Sequence, residues 1–129
     1  MVSSSAMFTK VILDTGPDGR SRFREEAVPV MERKPQLLLS DPLPGGAVAI
    51  RVSPAGYTMD FHSTAKPQWT FVLQGALEIG LPDGTCRVFR AGDHLYSTDT
   101  PPPGVRFDPS VHGHNSRQVG DEPLVRGSR

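Results

Sequence analysis

The sequence predicts an all-β fold, a small antiparallel barrel or sandwich, and three observations carry that expectation. Thirteen Gly and thirteen Pro among 129 residues disfavour long helices, because Gly adds backbone entropy to the unfolded chain and Pro lacks an N–H donor. Apolar residues alternate with polar ones over short segments, the period of a strand. Almost every such segment is bounded by Gly or Pro. A chain of this length can bury roughly two thirds of its unfolded surface, enough for one core, so a single domain over residues 1–129 is expected.

Residues 1–6 are small and polar and are expected to fray. Phe8–Leu13 reads as a short strand, and Gly16-Pro17-Asp18-Gly19 as a turn. Ser21–Met31 alternates loosely among charges and suits an edge strand, where charged side chains discourage unwanted pairing. Leu37–Leu39 is a brief apolar run before Asp41-Pro42-Leu43-Pro44-Gly45-Gly46, a stretch too rich in breakers for a central strand. From Ala47 the rhythm is regular: AVAIRVS, a PAG turn, YTMDFHS, an AKP turn and QWTFVLQGALEIGL, a pattern expected to form a meander of antiparallel strands. Leu81-Pro82-Asp83-Gly84 turns the chain into TCRVFR, and Ala91-Gly92-Asp93 into HLYSTDT. Pro101-Pro102-Pro103 ends any ladder, and SRQV and PLV are the last two strands, the final one short and frayed at its end.

Fourteen basic and fourteen acidic residues cancel, so no global field draws the chain to nucleic acid or to an anionic membrane. Neither is an expected partner. No apolar run approaches the length of a bilayer span, and the opening MVSSSAMFTK lacks the features of a secretory signal, so a cytoplasmic location is expected. Cys86, the sole cysteine, excludes an internal disulfide and reads as a packed or inert thiol.

Period-two geometry places His62 on one strand face with Asp60 and Thr64, and Gln68 on the face shared by Thr70 and Val72. If the AKP turn closes a hairpin, His62 and Gln68 come close together. Trp69, Phe71 and Phe89 alternate with these polar positions and are expected on the opposite face, where an aromatic stripe suits core packing or a homodimer interface.

Gly56, His62, Thr64, Gln68 and Gly75 keep every interval of the first cupin motif, which runs Gly, five residues, His, one residue, His, three or four residues, Glu, six residues, Gly. The second motif is looser: Gly92-Asp93 matches its start, and His114 with Gln118 its end. Residues 98–113 between them read as an inserted, Pro-rich loop at the mouth of the barrel. The chain thus resembles a cupin. That resemblance implies an antiparallel β-barrel of the double-stranded β-helix or jelly-roll type, with a core barrel over about 47–125, an N-terminal strand extension and a homodimeric habit.

The cupin metal site is three histidines and a glutamate, and here Thr64 and Gln68 stand in place of two of those ligands. The resemblance therefore implies two options: a weakly held divalent Zn, Ni, Fe or Mn on His62, Gln68 and His114, with His112 as a further donor, or no metal. In the second case His62, His114 and Tyr96 are candidates for acid–base catalysis, and Gln68, Thr64, His94 and Arg51 for holding a small organic molecule. Isomerisation, cyclisation, dehydration or decarboxylation is then the expected chemistry. A metal-dependent dioxygenase and a non-catalytic small-molecule binding or sensor protein are the alternatives, and a partner-binding role would rest on the aromatic stripe alone.

Overall fold

A computed structural model describes residues 8–43 and 46–129. The expected fraying of residues 1–6 falls outside them. Twelve strands follow in order: β1 (Phe8–Thr15), β2 (Ser21–Val28), β3 (Met31–Lys34), β4 (Leu37–Leu39), β5 (Ala49–Ser53), β6 (Thr58–His62), β7 (Gln68–Gln74), β8 (Ala76–Gly80), β9 (Cys86–Arg90), β10 (His94–Ser97), β11 (His114–Val119) and β12 (Leu124–Ser128). They form a six-stranded sheet, β2-β1-β10-β7-β12-β5, a four-stranded sheet, β6-β11-β8-β9, and the separate hairpin β3-β4.

This connectivity is a jelly roll and not the expected meander. The AKP segment does not close a hairpin: β6 belongs to the small sheet and β7 to the large one, so residues 63–67 cross between sheets. The chain crosses back at Gly75, whose φ is +79°. A Cβ at that position would lie 2.6 Å from the Pro123 carbonyl oxygen, so only Gly lets the chain change sheet there.

The N-terminal strands are integral to the barrel. β1 lies between β2 and β10, and Val11 and Leu13 join Val72, Leu77, Phe89 and Leu124 in the core cluster. β1 and β2 extend the large sheet beyond β10. The edge strand beginning at Ser21 stops at Val28, before Pro29, which cannot donate to a ladder. β12 reaches Ser128 and is paired on both sides, by β5 and β7, so the end expected to fray is a central strand. Cys86 is exposed at the start of β9 rather than packed.

Candidate functional site

A cavity of about 270 Å³ lies between the two sheets, lined by residues of both. The small sheet contributes His62 from β6 and His114 and Ser116 from β11. The large sheet contributes Gln68, Thr70, Ser97, Arg51 and Arg126. Thus His62, Thr64, Gln68, His114 and Arg51 meet at one cavity, whereas Tyr96 and His94 do not.

His62 and His114 are directly opposite in the β6–β11 ladder, and their ring centroids are 4.6 Å apart. Two local departures from ideal strand geometry produce this. Gly113, with φ +82°, brings the chain so close to β6 that a Cβ would stand 2.7 Å from the His62 carbonyl oxygen. Next, His114 pairs with His62 and Ser116 with Met59, so three steps on β6 oppose two on β11. That bulge breaks the period of two and turns both Met59 and His62 toward the cavity. Asp60, expected beside His62, instead accepts the Phe61 N–H with its carboxylate and is exposed.

Each imidazole is held by its Nδ1. The His62 Nδ1 lies 2.8 Å from the Asp60 carbonyl oxygen, which only accepts, so this nitrogen carries the proton. The His114 Nδ1 lies 2.8 Å from Asp99 Oδ2 and donates to that carboxylate. With Nδ1 committed in both rings, Nε2 is the free lone pair of each. Asp99 is in turn fixed by Ser21 and Thr15, whose hydroxyls donate to its Oδ1 at 2.6 and 3.0 Å. Its residue is 1% exposed. A carboxylate behind an imidazole fixes the ring's tautomer and orientation, as in other histidine sites.

Sequence reasoning missed Asp99, because nothing local marks it: its partners are fifteen residues ahead on His114 and far behind on the β1–β2 hairpin. The segment 98–113 is consequently not only a mouth loop, since Asp99 enters the interior. His112 is buried, but its Nδ1 accepts the Asp108 N–H at 3.0 Å and its ring stands edge-on to Phe107, away from the cavity lining. It supplies no further donor there.

Thr64 lines the cavity, yet its hydroxyl is 2.5 Å from Ser97 Oγ and is engaged with it. Gln118, matched to the end of the second motif, is structural: its Oε1 accepts the Gly56 N–H, and its Nε2 donates to the carbonyls of Gly120 and Glu122. Tyr96 and His94 share a face, as expected, but it is the outer one. Leu95 and Ser97 take the inward positions of β10, leaving Tyr96 against Trp69 at 4.9 Å and under the Lys10 ammonium at 4.2 Å. The His94 Nε2 there accepts the Val11 N–H at 3.1 Å. Trp69 and Phe71 stack on that same outer face, with Trp69 buried by these neighbours. Phe89, expected with them, instead packs into the core cluster.

Arg126 was also missed, because PLVRGSR reads as a tail. It is 6% exposed and lines the cavity opposite its cross-strand partner Arg51, which is exposed at the rim. Burial pulls the Arg126 guanidinium below its usual range, with Tyr57 opposing and the nearby Arg51 charge assisting the shift.

A metal of the cupin kind does not fit this donor set. Among the described residues no group of three His, Cys, Asp or Glu side chains is placed to hold an ion. Two imidazole nitrogens and the Gln68 amide supply no anionic ligand, and the Thr64 hydroxyl is taken.

The chain is a two-sheet jelly roll with a polar cavity between the sheets, the fold that the resemblance implied. No family model matches the chain, and no curated protein matches it. Among solved structures it is similar to the Schizosaccharomyces pombe Cnp3 cupin domain, with 14% identity, a TM-score of 0.47, and coverage of 95% of this chain and 84% of that one. No helix among the described residues is long and apolar enough to cross a membrane.

Proposed function

We propose that this barrel binds a small organic molecule and moves a proton on it, using His62 and His114 as general base and acid, in an isomerisation, cyclisation or elimination. The observation that supports the reading is the paired imidazole arrangement, with both Nδ1 atoms tied back and both Nε2 atoms left for a ligand. A bare Nε2 can take a proton from carbon or hydroxyl, and Asp99 behind His114 stabilises the imidazolium that forms. The ring that has taken the proton then serves as the acid that returns it to another atom of the same ligand, so the proton balance closes. Gln68, on the facing sheet, is the amide that would orient a carbonyl or hydroxyl of the ligand. A dioxygenase reading lacks support because the donor set does not suit a resident metal.

Incubating the protein in D₂O with a library of small carbonyl and hydroxy compounds tests this by mass spectrometry. Deuterium should enter, or water be lost, in at least one compound. His114→Asn and His62→Asn should each slow the process by about 10²-fold or more. Unchanged rates in both folded variants would return the cavity to the alternative, a non-catalytic binding or sensor role.

A homodimer is proposed on separate grounds. Ile50 and Val52 are 60% and 67% exposed on β5, an outer strand of the large sheet, and point away from the cavity-lining Arg51 between them. A second copy of this face would cover that apolar pair. Light scattering after gel filtration should give twice the mass of one chain, and Val52→Glu should give the monomer; a wild-type monomer at tens of micromolar rejects it.

A further inference from the structure

Arg126 is the cavity group that proton transfer leaves unused. Its Nε is buried without a hydrogen-bond partner among the described residues. Its Nη2 donates to Ser53 Oγ at 3.2 Å, and its Cζ lies 5.6 Å from the Tyr57 ring centroid. A hydroxyl and an aromatic face are neutral neighbours. The nearest charge it meets in the register is another cation, Arg51. Among the described residues no Asp or Glu lines the cavity, and Asp99 stands behind His114 with both oxygens already engaged. A buried cation with an unmet donor and no counter-ion is costly by itself and is favourable once an anion arrives.

We propose that the cavity takes a small organic carboxylate, its two oxygens on the Nε–H edge of Arg126, with Arg51 closing the rim. The planar guanidinium fork matches a planar carboxylate through two parallel hydrogen bonds. At about 270 Å³ the cavity lies below the roughly 300–1,000 Å³ of pockets for drug-sized ligands, so the acid has few carbons. Met59, Leu77 and Ile79 offer apolar wall to a short chain. The carbon skeleton then extends from the arginines toward His62 and His114; that second half rests on the proton-transfer reading, while the carboxylate site stands without it.

Calorimetric titration of the full chain, in a buffer free of carboxylate and phosphate, tests the proposal. The probes are acetate, glycolate, pyruvate and malonate, each against its neutral amide, together with inorganic phosphate. At least one acid should bind about tenfold or more tightly than its amide. Arg126→Met should weaken that binding by about tenfold or more, Arg51→Met by a few fold, and His62→Asn by less than about threefold. If Arg126→Met does not fold, Arg126→Lys, which keeps the charge and loses the fork, should still weaken it severalfold. Amides equal to their acids, phosphate tighter than every carboxylate, or a folded Arg126 variant with unaltered binding would overturn it. Carboxylate binding without deuterium exchange removes only the catalytic reading, whereas exchange without carboxylate binding removes only this one.

Discussion

The two walls of the cavity are finished to different degrees. On the small sheet, His114 is backed by Asp99, and Asp99 by Ser21 and Thr15, so that every polar atom behind the ring has a partner. On the large sheet, Arg126 has Ser53 for one nitrogen and nothing for Nε. A satisfied buried network rigidifies what it holds, whereas an unsatisfied donor keeps its hydrogen-bonding capacity for a ligand. The histidine wall is thus built to hold a fixed geometry, and the arginine wall to receive something.

That contrast predicts opposite responses to removing a charge. Asp99→Ala deletes the buried acceptor of the His114 Nδ1–H and the Ser21 hydroxyl and leaves both unmet, while Thr15 keeps the Thr100 carbonyl, so it should cost about 3 kcal/mol or more of stability. Arg126→Met removes a cation with one unmet donor and replaces it with a side chain of similar length, so its stability should change by less than about 1 kcal/mol or rise. Urea unfolding of both variants is the measurement. Equal losses would show that the two walls are equally committed to the fold. Long-range ¹H–¹⁵N spectra of the imidazoles should in addition show His114 losing its preference for the Nδ1–H form in Asp99→Asn, while His62, held by a backbone carbonyl, keeps it.

The histidine wall also depends on backbone. Gly113→Ala demands a positive φ of an L-residue and drives a Cβ into the His62 carbonyl, at a cost of about 1–3 kcal/mol. Because the strain falls between the two histidine strands, proton-transfer rate should suffer along with stability. Gly104→Ala provides the comparison: its φ is +79°, but a Cβ there meets nothing within 4 Å. It should destabilise less and leave the rate alone. A Gly113→Ala variant with wild-type rate would detach the close approach from the site.

How much of this was legible in the sequence follows from distance along the chain. The spacing Gly56, His62, Gln68, Gly75 is local, and it led to the right fold and to a cavity that does contain His62, Gln68 and His114. Strand alternation also separated Gln68 and Thr70 from Trp69 and Phe71 correctly. It failed at β6, where a bulge resets the period, and it could not say which face of β10 is inward, so Tyr96 and His94 were assigned to the wrong side. Asp99 and Arg126 were invisible because their roles exist only after distant segments meet: Asp99 through the β1–β2 hairpin, Arg126 through a terminal strand that becomes central. Motif spacing records what one turn can bring together, and the remainder of this site is tertiary.

His94 lies outside the cavity, and its titration separates the outer face of the large sheet from both inner walls. Burial lowers its imidazole below the ordinary 6.5, with Asp93 opposing and Arg87 assisting the shift. The fold favours the neutral ring, whose Nε2 accepts the Val11 N–H. As pH falls below about 6.5 the unfolded chain takes up a proton that the folded chain still refuses, so it binds more protons and gains ground. The contribution of His94 to stability is therefore complete above the ordinary value, declines as pH drops toward the lowered one, and is flat beneath that. Urea midpoints measured from about pH 8 to about pH 5 should fall in wild type and fall less in His94→Gln, whose amide oxygen can still accept the Val11 N–H. Proton-transfer rate and carboxylate affinity should keep the same pH profile in that variant, because His94 touches neither wall. A parallel decline of the two midpoints would assign the pH dependence to groups other than His94, and an altered rate profile would mean that the outer face communicates with the imidazole pair.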